Sequence, residues 1–237
     1  LARRLDYYHR VYWPNLDLQI VNVTDQWAAI ALAGPHSRAV LAKLVGPGGA
    51  DSAALPYMGF RETLFDGIPL RIHRISFSGD LAYEIYIPAA YGSSLWDCLM
   101  ELGAEYGITP YGIDALNALR IEKGHVAGGE LDGRVTPDDL GLGRMLRQDG
   151  DFIGRRGLDR PGLSDASRWK LVGIAPVDGH TSLPPGAKII DDTPDRYLGE
   201  VTSTTWSPML QRPIGLALVA DGRARHGQQL WATSPLA

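Results

Sequence analysis

Between Leu81 and Pro88 apolar and polar positions alternate with the two-residue period of a strand. Leu81, Tyr83, Ile85 and Ile87 share one face, and Ala82, Glu84 and Tyr86 share the other. A carboxylate on that second face must meet water or find donors, because burying it unpaired costs several kcal/mol. Two readings of Glu84 follow: an antiparallel strand with one wet face, or a strand that holds its carboxylate against a ligand. Ser78-Gly79-Asp80 leads into the strand, and a bend permitted by glycine would bring Phe77 and Glu84 towards the same neighbourhood.

The same patterning organises the chain around this strand. Leu1, Leu5, Tyr8, Val11 and Tyr12 fall at helical spacing and Pro14 ends the run, which predicts a helix over 1–13. Leu16, Leu18, Ile20, Val21 and Val23 read as a strand, and Trp27 to Ala33 as a second. Gly34-Pro35-His36-Ser37 opens a helix with Val40, Leu41, Leu44 and Val45 on one side and a stop at Gly46. Residues 46–52 read as a flexible loop. Strands over about 60–66 and 68–77 flank Asp66-Gly67, a hairpin signal. Ser93 or Ser94 would cap a helix bearing Leu95, Trp96, Leu99, Met100 and Leu102. Another helix spans 110–124, with Leu116 and Leu119 inward and Gly124 at its end, and its Arg120 and Glu122 read as ordinary exposed charges. A Pro/Gly/Ser/Asp-rich linker at 160–168 marks a boundary. Beyond it, short strands over 169–175, 187–190, 198–205, 213–219 and 229–232 predict a small all-β domain or barrel.

Composition narrows the classes of function. The 237 residues carry a formal net charge of -4, which argues against nucleic acid or an anionic membrane as the main partner. The Arg155/Arg156 and Arg223/Arg225 pairs read as solvated faces. Cys98 is the single cysteine, so no internal disulfide forms, and in its apolar helix it reads as core rather than nucleophile. Cytoplasm is the default compartment. No run has the length of a membrane span, and the start at Leu1 lacks a signal-peptide core. That start falls inside an expected helix, so the chain is expected to be a piece of something longer.

Several chemistries find no anchor. The six histidines are scattered, none at the i, i+4 spacing of a helical metal pair, so no metal site is expected. The glycines of 46–52 complete neither a dinucleotide fingerprint nor a P-loop, and there is no Gly-x-Ser-x-Gly elbow. Asp138-Asp139, after Thr136-Pro137, reads as a helix cap in preference to a catalytic carboxylate pair.

Six stretches in order carry a family resemblance. Arg74-Ile-Ser-Phe-Ser-Gly-Asp-Leu-Ala-Tyr-Glu-Ile resembles the Tyr-Thr-Gly-Glu-x-Gly-(Phe/Tyr)-Glu-Ile segment of the folate-binding aminomethyltransferases, the T-protein family of glycine cleavage. It is closer still to the Ser-Phe-Ser-Gly-x-Leu-Ala-(Tyr/Phe)-Glu-Ile of the folate-binding region of heterotetrameric sarcosine oxidase alpha subunits. The helix ending Leu119-Arg-Ile-Glu-Lys-Gly124 resembles the family's Leu-Arg-x-Glu-x-Gly, and Thr136-Pro137 supplies the Thr-Pro stretch that follows it. Phe152-Ile-Gly-Arg-Arg-Gly-Leu158 is similar to Phe-x-Gly-(Lys/Arg)-x-x-Leu. Gly199 to Pro208 and Ile214 to Val219 resemble the carboxy-terminal Gly-x-Val-Thr-Ser-x-x-x-Ser-Pro and Ile-Ala-Leu segments.

The resemblance implies an α+β aminomethyltransferase-like folate domain over 1–162, incomplete at its amino terminus, and a small β-barrel domain over 163–237. It implies a tetrahydrofolate site in which Glu84 accepts the adjacent ring N–H and amino group of the pteridine and Phe77 forms a stacking wall. Phe77 stands where T-proteins carry tyrosine, and Leu116 and Asn117 replace the family's Arg-Asp, so those contacts do not transfer. The family's catalytic acidic residue lies upstream of the segment aligning with Leu1, which leaves no catalytic residue to name. In the family, folate N5 captures an iminium and N10 closes the ring, giving 5,10-methylenetetrahydrofolate. In sarcosine oxidase the iminium comes from flavin oxidation in another subunit, so flavin and dinucleotide sites are expected elsewhere and the partners are the other subunits of a hetero-oligomeric oxidase. Two alternatives remain: a stand-alone aminomethyltransferase of glycine cleavage, and a non-catalytic folate-binding or interaction module.

Overall fold

A computed structural model describes residues 1–193 and 196–233. Contacts divide the chain into two compact units: Leu1–Ser76 with Asp80–Pro110, and Phe77–Gly79 with Tyr111–Ala237.

The first unit begins with helix α1 (Ala2–Tyr7), which runs on as one π turn over Tyr8–Tyr12. Pro14 follows, as its missing N–H requires. The strand expected over 16–23 does not form. Leu16, Leu18, Ile20, Val21 and Val23 are exposed, and the stretch has no ladder partner among the described residues. Alternation alone cannot make a strand where no neighbour accepts its hydrogen bonds. Strand β1 (Trp27–Ala33) and helix α2 (Ser37–Val45) match their apolar spacing. The expected loop after them contains a helical turn, α3 (Pro47–Ala50), with proline at its start where no donor is lost.

Strands β2 (Phe60–Phe65) and β3 (Ile68–His73) form the expected hairpin. Asp66 and Gly67 adopt φ of +49° and +79°, the left-handed pair that a two-residue turn of matching twist demands. Strand β3 stops at His73, short of the expected 77. Strand β4 (Ala82–Pro88) completes an antiparallel sheet of order β1-β4-β3-β2. Helix α4 (Gly92–Gly103) is capped neither by Ser93 nor by Ser94, because it begins before them with Tyr91 at the cap and no side-chain cap bond. Leu70, Ile72, Tyr83, Ile85 and Ile87 on the inner sheet face meet Leu41 of α2 and Leu95 of α4, all fully buried. Cys98 packs against this core, and burial pushes its thiol pKa up, as befits a packing residue.

The second unit opens with helix α5 (Ile113–Lys123), ended by Gly124 at φ +79°. Two single helical turns, α6 (Arg155–Leu158) and α7 (Pro161–Ser164), precede strands β5 (Trp169–Ile174), β6 (Lys188–Ile190), β7 (Tyr197–Ser207), β8 (Arg212–Ala220) and β9 (Trp231–Thr233). Their order, β5-β8-β7-β6-β9, leaves β5 and β9 as edges, so among the described residues the expected barrel is an open five-stranded sheet. Leu198, Val201, Ala217 and Val219 form its core with Ile189.

Arg120 departs from expectation. Its residue is 5% exposed, and its guanidinium lies 3.0 Å from the fully buried Glu130. A bulge at Thr202 in β7 re-aims two hydroxyls, so that Thr202 and Ser203 both donate to Glu130 Oε1, at 2.7 and 2.5 Å. Ser203 in turn accepts from Arg120 Nη2 at 2.8 Å. Burial raises the Glu130 pKa, but the Ser203, Ala127 N–H and Thr202 bonds and the Arg120 charge outweigh it, and the carboxyl ends below its usual range. Glu122 is likewise engaged, accepting from Ser207 Oγ.

Asp139 and Thr136 bond each other reciprocally, Thr136 N–H to Asp139 Oδ2 at 2.8 Å and Asp139 N–H to Thr136 Oγ1 at 3.2 Å. Although burial opposes ionisation, Arg168 and Lys170 hold this buried carboxyl at a pKa of about 2. The pair therefore ties a turn to β5 and caps no helix; the next helical turn, a 3-10 turn over Gly143–Met145, starts from Leu142 without a side-chain cap. Arg223 is exposed, as expected, and donates to the exposed Asp138 at 3.2 Å, whereas Arg225 is half-buried and donates to the Ala220 carbonyl at 2.8 Å.

Candidate functional site

The outer face of the four-stranded sheet carries Glu84. Because Tyr83, Ile85 and Ile87 are fully buried on the inner face, the pleat forces Glu84 and Tyr86 outward. Register then places Ala31, Glu84, His73 and Phe60 in one row across β1, β4, β3 and β2. A second row holds Ala29, Tyr86, Arg71 and Glu62.

Each row has a small, exposed alanine on β1 beside the polar group of β4. A methyl group there leaves open surface next to the carboxylate. On the other flank the His73 ring lies 4.7 Å from the Phe60 ring and 5.3 Å from that of Tyr86, edge-on to the latter. The Tyr86 hydroxyl donates to Glu84 Oε2 at 2.7 Å. That bond, with burial and the Glu84 charge, pushes the phenol's pKa above its ordinary value, so Tyr86 stays a donor. An ionised carboxylate has about four acceptor positions, so one phenol leaves it able to take a pair of ligand N–H groups. Farther along, the Arg71 guanidinium sits 4.1 Å over the Trp27 ring and donates to Glu62 at 2.9 Å.

Phe77 falls in the second unit. The residue is 43% exposed, its ring centroid lies 6.0 Å from that of His125, and its carbonyl lies 3.0 Å from His125 Nδ1. Arg120 supports His125 by donating to its carbonyl at 3.2 Å. Gly79, two residues on, has φ +92°, and a Cβ there would stand 2.9 Å from the Lys123 side chain, so only glycine suits this bend.

Sequence pattern singles out Glu84 and leaves Tyr86 as its flank, His73 as one scattered histidine and Arg120 as a surface charge. His73 does carry a signal: with Leu70 and Ile72 inward, period two puts Arg71 and His73 on the face of β3 that joins the Glu84 face. Nothing local signals Arg120, whose partners lie 10 residues away at Glu130 and 83 away at Ser203. Among the described residues, no group of three or more His, Cys, Asp or Glu could hold a metal ion, and no helix is long and apolar enough to cross a membrane.

Comparison with known proteins places these observations. Residues 2–150 match the family described as the GCVT N-terminal domain, and residues 170–233 the glycine cleavage T-protein C-terminal barrel domain. The sarcosine oxidase subunit alpha of Rhizobium meliloti (strain 1021) is 43% identical over 243 residues, covering 100% of this chain and 24% of that protein. The subunit alpha of Corynebacterium sp. (strain P-1) is 42% identical over 92% of this chain and 23% of its own. An aminomethyltransferase of Bacillus mycoides (strain KBAB4) is 34% identical over 86% of this chain and 55% of its own. The chain thus spans about a quarter of the sarcosine oxidase subunits and about half of the aminomethyltransferase. The crystal structure of glycine cleavage system aminomethyltransferase T from Bartonella henselae shares the fold, with a TM-score of 0.72 at 24% identity over 88% of this chain and 56% of that one. With more than half of its length matched by the first of these families, the chain belongs to the GCVT family of glycine cleavage T-protein-like aminomethyltransferase domains.

Proposed function

We propose that this chain is the tetrahydrofolate-binding, one-carbon-transfer region of a sarcosine oxidase-type alpha subunit, its folate domain over 1–162 and its β domain over 163–237. The observation that carries this reading is Glu84 on the outer sheet face, held by Tyr86 at 2.7 Å beside small residues. A pteridine presents a ring N–H and an amino group side by side, and a planar carboxylate accepts both at once, so the residues present fit the ligand. Phe77 is proposed as an aromatic contact to it. Bound tetrahydrofolate would supply the amine nitrogens that take up the one-carbon unit, to leave as 5,10-methylenetetrahydrofolate.

This chain's own contribution is to bind and orient. Holding the acceptor in register with an incoming electrophile converts an encounter in solution into a positioned reaction. Glu84 fixes the ring edge, and Tyr86 fixes Glu84. The flavin chemistry that makes the electrophile, and the acidic group that assists transfer, are assigned to other parts of a hetero-oligomeric oxidase in the cytoplasm. The isolated 237-residue piece should bind folate weakly or not at all.

The 43% identity to the Rhizobium subunit, over the whole chain, supports the oxidase reading over a stand-alone aminomethyltransferase, matched at 34% over 86% of the chain. Titrating tetrahydrofolate against the intact protein and its Glu84→Ala variant tests the assignment. The variant should bind at least about tenfold more weakly, the loss expected for a charged hydrogen-bond acceptor. Equal affinities would remove Glu84 from the site.

A further inference from the structure

We propose that His73 is a specificity-determining contact of the Glu84 site, donating a hydrogen bond to the carbonyl that adjoins the pteridine's N–H and amino donors. The inference rests on the folate reading above and extends it to how the site reads the ring.

Three observations carry it. His73 is the direct cross-strand partner of Glu84, and antiparallel partners project from the same face with Cβ atoms about 5 Å apart. The imidazole is half-buried and flanked by Phe60 and Tyr86, with centroids 4.7 and 5.3 Å away, so its orientation is restricted before any ligand arrives. Its chemistry also completes the pattern. A pteridine edge offers an amino donor, a ring N–H donor and a carbonyl acceptor in succession. The carboxylate answers the two donors. Imidazole keeps at least one N–H in every neutral tautomer and two when charged, so it can answer the acceptor. The other members of the row, Ala31 and Phe60, carry no side-chain donor at all.

Such a donor discriminates. A ligand with an amino group in place of the carbonyl sets donor against donor at His73 and, because its neighbouring ring nitrogen then carries no hydrogen, also loses one of the two donors that Glu84 accepts; a site built around hydrogen bonds rejects both changes.

The test compares tetrahydrofolate with its 4-amino-4-deoxy counterpart by equilibrium binding to the intact protein. Wild type should prefer tetrahydrofolate by at least about tenfold, the combined effect of the unpaired His73 donor and of the N–H lost at Glu84. His73→Phe keeps the ring packing between Phe60 and Tyr86 but removes the donor, and should narrow the wild-type ratio by about fivefold, leaving only the part set by the ring N–H at Glu84. His73→Asn retains an N–H near the Nδ1 position and should keep a preference closer to wild type, which a purely structural role would not produce. An unchanged ratio in His73→Phe overturns the proposal. If Glu84→Ala also binds tetrahydrofolate as wild type does, the underlying folate reading falls as well; if Glu84→Ala is weakened and the His73→Phe ratio is unchanged, only the His73 assignment fails.

Discussion

Glu84 and Tyr86 act as a unit two residues apart on one strand, the spacing at which a pleat returns a side chain to the same face. A carboxylate side chain turns about its own bonds, and a ligand that needs both oxygens must pay to stop that rotation unless the protein has stopped it first. The Tyr86 hydroxyl does so, and the upward displacement of its pKa by the Glu84 bond keeps the proton in place at neutral pH. Tyr86→Phe retains the ring against His73 and removes only this restraint. We expect tetrahydrofolate to bind it about fivefold more weakly, the equivalent of about 1 kcal/mol for one hydrogen bond, with the thermal midpoint little changed. Isothermal titration beside a melting curve checks this, and an affinity equal to wild type would show that Glu84 needs no such restraint.

At the scale of elements, the Arg120–Glu130 pair joins α5, the turn at 127–130 and the bulged strand β7. Both groups are hydrogen-bonded on several sides, which is the condition under which a buried ion pair is tolerated. Removing one partner strands the other charge in the interior. Arg120→Met should therefore lower the unfolding free energy by about 3–5 kcal/mol, whereas Arg120→Met with Glu130→Leu should cost distinctly less. Urea unfolding of both variants checks the order, and a double variant less stable than the single one would contradict it. Much of the architecture at this scale was legible from local pattern: β1, α2, the Asp66-Gly67 hairpin and the Glu84 strand all follow from period and turn chemistry. What was not legible depended on distant partners. The run at 16–23 has a strand's alternation and no neighbour to pair with. Arg120 reads as a surface charge until the bulge at Thr202, 82 positions on, turns two hydroxyls towards its partner. The outward face was legible as a face; its order as a row of Ala31, Glu84, His73 and Phe60 required the register of three strand pairs.

For the molecule as a whole, the two matched family regions, 2–150 and 170–233, lie either side of the polar linker at 160–168. The family membership gives the fold a lineage, and the folate site proposed on the sheet face gives that lineage a testable chemistry. The central claim is that the Glu84 carboxylate accepts the ring N–H and amino group of a pteridine. The most direct measurement is the affinity of the intact wild-type protein and of Glu84→Ala for tetrahydrofolate and for its 2-desamino analogue, which lacks one of the two donors. The account predicts that wild type prefers tetrahydrofolate by about tenfold or more, the worth of a hydrogen bond to a charged group, and that Glu84→Ala binds the two ligands alike. The same preference in both proteins would place the amino group against some other residue and contradict the account.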